Sequence, residues 1–199
     1  SEKDTDLPHM LPKHGTWGEI MSSLGINNND DILIYDNSDL KSSCRCWFSL
    51  LYFGHDEKKI HILNGGLKKW IFENKPITKL TTEIIKSNYV TNEKENLVVS
   101  FDQIKKNILS KSFNVIDARS LERFDGKVSE PRKGLRSGHI QNSFCLPFNQ
   151  CINQKTGEFK NLEELRELFN QNENIEKRLD QVFTCGSGVT AAVLAYAYK

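Results

Sequence analysis

Gln181-Val182-Phe183-Thr184-Cys185-Gly186-Ser187-Gly188-Val189-Thr190, running on into Ala191–Lys199, decides how the chain is read. Val182, Phe183 and Thr184 are β-branched or aromatic, which predicts a short buried strand. The alanine-rich run from Ala191 predicts a helix. Cys185 then stands at the hinge, at the carboxyl end of the strand, where open α/β sheets place their ligands. Glycines on both sides of Ser187 allow a tight curl in which several backbone N–H groups converge on one atom. If that atom is the Cys185 sulfur, held over the positive end of the following helix, its pKa falls and the thiolate persists. The same residues also suit a structural cysteine ahead of a glycine turn.

Composition narrows the alternatives. The 199 residues allow one large domain or two small ones, and the 27% charged and 38% hydrophobic content is that of a soluble globular protein. A formal net charge of +1 gives neither nucleic acid nor an anionic membrane a reason to bind. No apolar run approaches the ~20 residues of a membrane span. The start Ser1-Glu2-Lys3-Asp4-Thr5-Asp6 has neither the apolar core of a signal peptide nor the arginine-rich character of a transit peptide. The 5 cysteines, Cys44, Cys46, Cys145, Cys151 and Cys185, form no Cys-x-x-Cys pair. Their odd number predicts free thiols in a reducing compartment. The histidines His9, His14, His55, His61 and His139 are scattered, so no metal site is expected.

Along the chain, residues 1–15 read as an irregular lead-in. A helix is predicted over Thr16–Leu24, with Trp17, Ile20, Met21 and Leu24 inward. Ile32–Tyr35 reads as a strand ending at Asp36, followed by a helix over Cys44–Phe53 that Gly54 terminates. Ile60–Leu63 is a second strand, turning at Asn64-Gly65-Gly66 into a helix over Leu67–Glu73. Strands alternating with helices indicate parallel βαβ units. From Lys75 to about Leu97 the pattern fades, with one strand expected at Ile84–Val90. Phe101–Leu109 is an amphipathic helix, Val115–Asp117 a strand, and Phe144–Leu146 a short strand ended by Pro147. Asn161 caps a helix with Leu162, Leu165, Leu168 and Phe169 inward. Arg119–Gly138 is charged and without apolar periodicity, which by default is solvated surface. The layout of Asp31–Asp36, its loop and its helix repeats in Gln181–Cys185, its loop and its helix. Only the second copy carries a thiol.

Several motifs now coincide in order. Val115-Ile116-Asp117-Ala118-Arg119, Gly138-His139-Ile140 and Cys185–Thr190 resemble three signatures of the catalytic domain of the two-domain rhodanese-like sulfurtransferases. Ile34-Tyr35-Asp36, Arg45-Cys46-Trp47, Phe53-Gly54-His55 and Leu63-Asn64-Gly65-Gly66-Leu67-Lys68-Lys69-Trp70 resemble the non-catalytic first domain. The likeness is strongest to the 3-mercaptopyruvate sulfurtransferase branch. It implies an α/β fold of two rhodanese-like domains, each a mainly parallel sheet flanked by helices. The domains are expected at 1–76 (non-catalytic), after which 77–98 is linker, and at 99–199 (catalytic). Both are read as incomplete, the first at its start and the second at its end.

The resemblance also implies an activity. Sulfur moves from 3-mercaptopyruvate through a Cys185 persulfide to thioredoxin, another thiol acceptor or cyanide, and pyruvate is released. No cofactor is implied beyond the covalent persulfide. Thiosulfate-using relatives carry basic residues after the cysteine, whereas Gly186 and Ser187 are neutral here. A Cys-x5-Arg phosphatase needs an arginine where Ala191 stands, which excludes that chemistry. By resemblance, Arg123 in Glu122-Arg123-Phe124 and Arg132 in Glu130-Pro131-Arg132 grip the substrate carboxylate. Gly186, Gly188, Val189 and Thr190 complete the substrate cradle. Arg119, Lys133 and Arg136 are assigned to structure or to the surrounding potential.

Ser187 is expected to polarise the carbonyl or relay a proton, with closing the turn as its plainer role. His9, in Leu7-Pro8-His9-Met10-Leu11-Pro12, resembles a histidine near the family's active site and is a proton-shuttle candidate. The expected compartment is the cytoplasm, with the mitochondrion as the alternative. Three competing readings stand beside this one. They are a thiosulfate sulfurtransferase, a silent rhodanese-like binding module, and a redox-sensing thiol resolved by Cys145 or Cys151.

Overall fold

Val115 and Ile116 leave only 3% and 1% of their surfaces exposed, as residues of a strand covered on both faces do. In the computed structural model, which describes residues 7–171 and 175–199, they belong to β3 (Asn114–Asp117). This is the central strand of a three-stranded parallel sheet, flanked by β4 (Ser143–Cys145) and β5 (Gln181–Thr184). The register sets Asp117 opposite both Cys145 and Thr184. Just beyond the ladder, the Ala118 N–H donates to the Thr184 carbonyl at 2.8 Å. The chain segments leaving β3 and β5 therefore emerge side by side at the carboxyl end of the sheet, the end that holds ligands in open parallel sheets.

The chain forms two compact units, Ser1–Leu97 with Thr156–Glu158, and Val98–Lys155 with Phe159–Lys199. The second holds the three-stranded sheet. Its helix α4 (Phe101–Ser110) starts at a capping box between Ser100 and Gln103. α6 (Leu162–Asn170) starts at another, between Asn161 and Glu164, so the sequence reading of Asn161 as a cap is met in full. α7 (Ala191–Tyr198) buries Val193 and Leu194 completely, each worth about 2 kcal/mol of transfer free energy. Phe169, Phe183 and Tyr198 meet with ring centroids 5.2–6.4 Å apart and tie α6 and α7 to β5. Within Arg119–Gly138 lies a short helix, α5 (Leu121–Phe124), whose Phe124 is buried.

The first unit carries β1 (Ile32–Ile34) and β2 (Ile60–Ile62), paired in parallel with Ile32 opposite Ile60. Helices α1 (His14–Ser23), α2 (Ser43–Tyr52) and α3 (Gly66–Phe72) accompany them. Trp47, Leu50 and Phe53 fill its core, and Trp17 stacks on Phe53 at 4.8 Å. α1 meets that core through Trp17 and Met21, one i, i+4 stripe. Ile20 and Leu24, expected inward, lie on the neighbouring stripe and are 42% and 51% exposed. The lead-in is described from residue 7 onward, and its first six residues lie outside the described range.

The stretch 77–97 falls in the first unit, and Tyr89 is buried there against His55, to which its hydroxyl is hydrogen-bonded at 3.1 Å. No strand forms over Ile84–Val90, contrary to expectation, because its backbone groups find other partners. Ser87 N–H donates to the Ser22 carbonyl at 3.0 Å and Tyr89 N–H to the Ser22 hydroxyl at 2.9 Å. Asn28 brackets Val90 from both sides, through Val90 N–H at 2.8 Å and Val90 carbonyl at 2.7 Å. Among the described residues no helix is long and apolar enough to cross a membrane.

Gly54 ends α2 with φ +87°, and a Cβ placed there would come within 2.5 Å of the Asn92 carbonyl. Gly54→Ala is expected to cost about 1–2 kcal/mol from the left-handed backbone alone, with the contact to Asn92 adding to it. Scanning calorimetry should show the thermal midpoint of the first unit falling by about 5 °C or more. An unchanged midpoint would contradict this account of the turn.

Candidate active site

Cys185 follows directly on β5, and the loop after it closes over its own sulfur. The Gly188 N–H donates to Cys185 Sγ at 3.1 Å and the Ser187 N–H at 3.5 Å. Gly188 sits at φ +80°, a left-handed conformation that lets the loop double back. Burial pushes the thiol up, and four donors oppose it: the Thr190 hydroxyl, then the N–H groups of Ser187, Ala191 and Gly188. The donors win, and the thiol titrates below its ordinary range. The other two thiols of this unit go the opposite way. Cys145 is pushed up to about 11 by burial and by the carboxylates of Asp117 and Asp125, and Cys151 to about 12 by burial.

The loop residues Gly186–Thr190 carry no charge, so cations must come from elsewhere. They come from the segment leaving β3. Arg132 donates through Nη2 to the Gly186 carbonyl. A Cβ built on Gly186 would lie 3.0 Å from Arg123 Nη2 and 3.7 Å from Arg132 Nη2. Both guanidinium groups thus pack against the residue next to the sulfur, and the bare Cα of Gly186 leaves them the room.

Arg123 is held by Glu130 through two bonds, Nε to Oε1 at 3.1 Å and Nη2 to Oε2 at 2.5 Å. Glu130, whose side chain is only 4% exposed, also accepts from Arg119 Nη1 at 2.9 Å. Arg119 in turn grips Asp117 at the end of β3, with Nη2 to Oδ2 at 2.6 Å and Nε to both carboxylate oxygens at 3.0 Å. The hydrogen bonds from Arg123, then its charge and that of Arg119, hold the Glu130 carboxyl below its usual range despite burial. The segment expected to be solvated surface is therefore pinned by a chain of four charges, all but Arg123 withdrawn from solvent. The sequence reading assigns Asp117 and Glu130 no role and places Thr190 in the substrate cradle, to which the structure adds a hydroxyl hydrogen bond to the sulfur. A clue was available in the way Asp117-x-Arg119 recurs as Glu130-x-Arg132, an acid two residues before a base.

Of the nine residues singled out from the sequence, eight lie in the second unit. Cys185, Gly186, Ser187, Gly188 and Thr190 form the sulfur loop, Val189 is half-buried within it, and Arg123 and Arg132 stand at Gly186. His9 belongs to the first unit, exposed, with φ +60° and its carbonyl accepting from Arg45 Nη2 at 2.7 Å. Among the described residues no group of three or more His, Cys, Asp or Glu side chains is arranged to hold a metal ion.

Residues 5–73 match the family model of the rhodanese-like domain. The 3-mercaptopyruvate sulfurtransferase of Escherichia coli (strain K12) is 33% identical over 198 residues, spanning 99% of this chain and 68% of the relative. The chain belongs to the rhodanese-like sulfurtransferase family. The crystal structure of SseA from Escherichia coli, described as a 3-mercaptopyruvate sulfotransferase, superposes with a TM-score of 0.87 at 30% identity. That match covers 100% of this chain and 72% of SseA, so the α/β rhodanese fold expected from the sequence is the one observed. A mitochondrial thiosulfate/3-mercaptopyruvate sulfurtransferase of Arabidopsis thaliana is 36% identical over 98% of this chain. The chain spans 56% of the length of that relative.

A sulfurtransferase-family thiol with these donors should be alkylated by iodoacetamide at lower pH than any other thiol of its unit. Only the thiolate reacts, so a depressed pKa keeps the rate up as pH falls, and the rate drops tenfold per unit below it. Thr190→Val removes the hydroxyl donor and should slow Cys185 labelling at pH 6 by about tenfold, a shift of about one unit. Peptide mapping separates Cys185 from Cys145 and Cys151, and equal labelling of all three at pH 6 would refute the cradle.

Proposed function

We propose that this chain transfers sulfur from 3-mercaptopyruvate, through a persulfide on Cys185, to a thiol acceptor or to cyanide. The observation that carries the reading is the Cys185 sulfur under the Ser187 and Gly188 N–H groups, with Arg123 and Arg132 at the adjoining Gly186. Nucleophile, anion cradle and carboxylate-binding cations then converge at one loop.

In the first half-reaction the donor carboxylate is held by the remaining N–H groups of Arg123 and Arg132. The Cys185 thiolate attacks the donor sulfur, the S–S bond forms, and the C–S bond breaks. Its electron pair passes to the carbon as the enolate of pyruvate, which takes up a proton to become pyruvate. Ser187, two residues after the nucleophile, polarises the donor carbonyl or relays that proton. His9 is assigned the proton shuttle on the family likeness alone. In the second half-reaction an acceptor thiolate, thioredoxin or another, attacks the outer sulfur and the S–S bond to Cys185 breaks, restoring its thiolate. Cyanide as acceptor leaves as thiocyanate. The cycle runs through the persulfide and calls on no cofactor, and its free thiol nucleophile suits a reducing compartment, the cytoplasm or the mitochondrion.

The names of the relatives cover thiosulfate as well as 3-mercaptopyruvate. Thiosulfate is a dianion, and here Glu130 already engages Arg123 while Gly186–Thr190 add no charge. That balance favours the monoanionic carboxylate donor.

Pyruvate release from 3-mercaptopyruvate, followed beside thiocyanate formation from thiosulfate and cyanide, tests the proposal. The carboxylate donor should turn over faster, and Cys185→Ser should lower pyruvate release by at least about 10³-fold. Pyruvate released by the serine variant at the parental rate would remove Cys185 as nucleophile. Thiosulfate turning over faster would reassign the donor.

A further inference from the structure

The peptide group between Gly186 and Ser187 has two partners, one at each end. Its carbonyl accepts from Arg132 Nη2 and its N–H donates to Cys185 Sγ at 3.5 Å. In a planar trans peptide the C=O and N–H bonds point in opposite directions, and the described residues include no cis peptide. Fixing the carbonyl on Arg132 therefore fixes the direction of the Ser187 N–H, turning it toward the sulfur. Released from Arg132, the plane is free to rotate about the Gly186 backbone, which has the fewest steric restraints of any residue.

Arg132 is suited to act as a fixed post. Pro131 restricts the chain just before it, and Glu130 before that is anchored to both Arg119 and Arg123. A guanidinium has five N–H donors, so the one spent on Gly186 leaves others for a substrate carboxylate. Two charged groups pack against Gly186, Arg123 and Arg132, both from the segment after β3. Residues 186–194, the loop and the first turn of α7, supply none.

We infer that Arg132 is a positioning residue for the sulfur cradle: by holding the Gly186 carbonyl it aims the Ser187 N–H at Cys185 before any donor binds. The inference rests on the reading of Cys185 as nucleophile and adds a task to a residue assigned there to substrate alone. It predicts that Arg132 matters in the empty protein.

The experiment uses the whole chain without substrate. The pH dependence of Cys185 alkylation by iodoacetamide is measured for the parent, Arg132→Met and Arg132→Gln, with hydrogen exchange followed on the peptide holding Ser187 and Gly188. Arg132→Met is expected to slow Cys185 labelling at pH 6 by about tenfold, one unit of thiol pKa, and to speed amide exchange in the loop. Arg132→Gln, uncharged but still an N–H donor, should recover most of both effects. If Arg132→Met labels and exchanges like the parent and only raises KM for the donor, Arg132 binds substrate and positions nothing. If Arg132→Gln is as impaired as Arg132→Met and both defects vanish in the parent-to-variant comparison at 1 M salt, the effect is field alone and the inference also falls. Should the methionine variant fail to fold, Arg132→Ala, which likewise lacks an N–H donor, takes its place with the same expected and overturning outcomes. Retained pyruvate release by Cys185→Ser would instead overturn the parent reading, so the two failures are distinct.

Discussion

The Asp117–Arg119–Glu130–Arg123 chain of charges is the interaction on which the second unit's site depends. Its side chains, apart from Arg123, are 9% exposed or less, and isolated ions at such depth would each cost several kcal/mol. Two carboxylates against two guanidinium groups remove that cost, and the bonds between them run from the end of β3 to the loop facing Cys185. The ion chain thus adds little to stability compared with an apolar core. What it supplies is direction, because a bidentate pair fixes the plane of each guanidinium. Arg123 reaches Gly186 in one orientation because Glu130 leaves it no other.

The sulfur loop is a contest between desolvation and hydrogen bonding, decided by the number of donors. Cys145 is half-buried and Cys151 buried in the same unit, and desolvation raises both, with Asp117 and Asp125 adding to it at Cys145. Cys185 is also raised by burial, yet the Thr190 hydroxyl and three N–H groups reverse the sign. These groups are already in place and need no reorganisation when charge arrives, which is how a small neutral loop can stabilise an anion.

Much of this was legible in the sequence, and the illegible part has a common cause. The strands around Val115 and Val182, the cap at Asn161 and the hinge at Cys185 rest on local patterns of period or capping, and all fall where expected. The Gly-Ser-Gly curl and its arginines were reached through ordered motifs. The segment 119–138 carries no period because its fold is set by ion pairs spanning 2, 7 and 11 residues, a spacing no single helix or strand repeats. The stretch around Tyr89 was opaque for a similar reason: Ser22 and Asn28, more than sixty residues away, take its hydrogen bonds.

Asp36 gives the first unit a different fate. It lies two residues past β1, where Cys185 lies directly after β5, and its carboxylate accepts from the Ser43 N–H at 2.7 Å, at the start of α2. The unit places a carboxylate oxygen at a helix start where the second unit places a sulfur. A carboxylate oxygen has no second sulfur to accept and no bond to give up, so the position works as a latch that holds strand to helix. Where one unit leaves its post-strand position open to chemistry, the other has that position tied into its own framework.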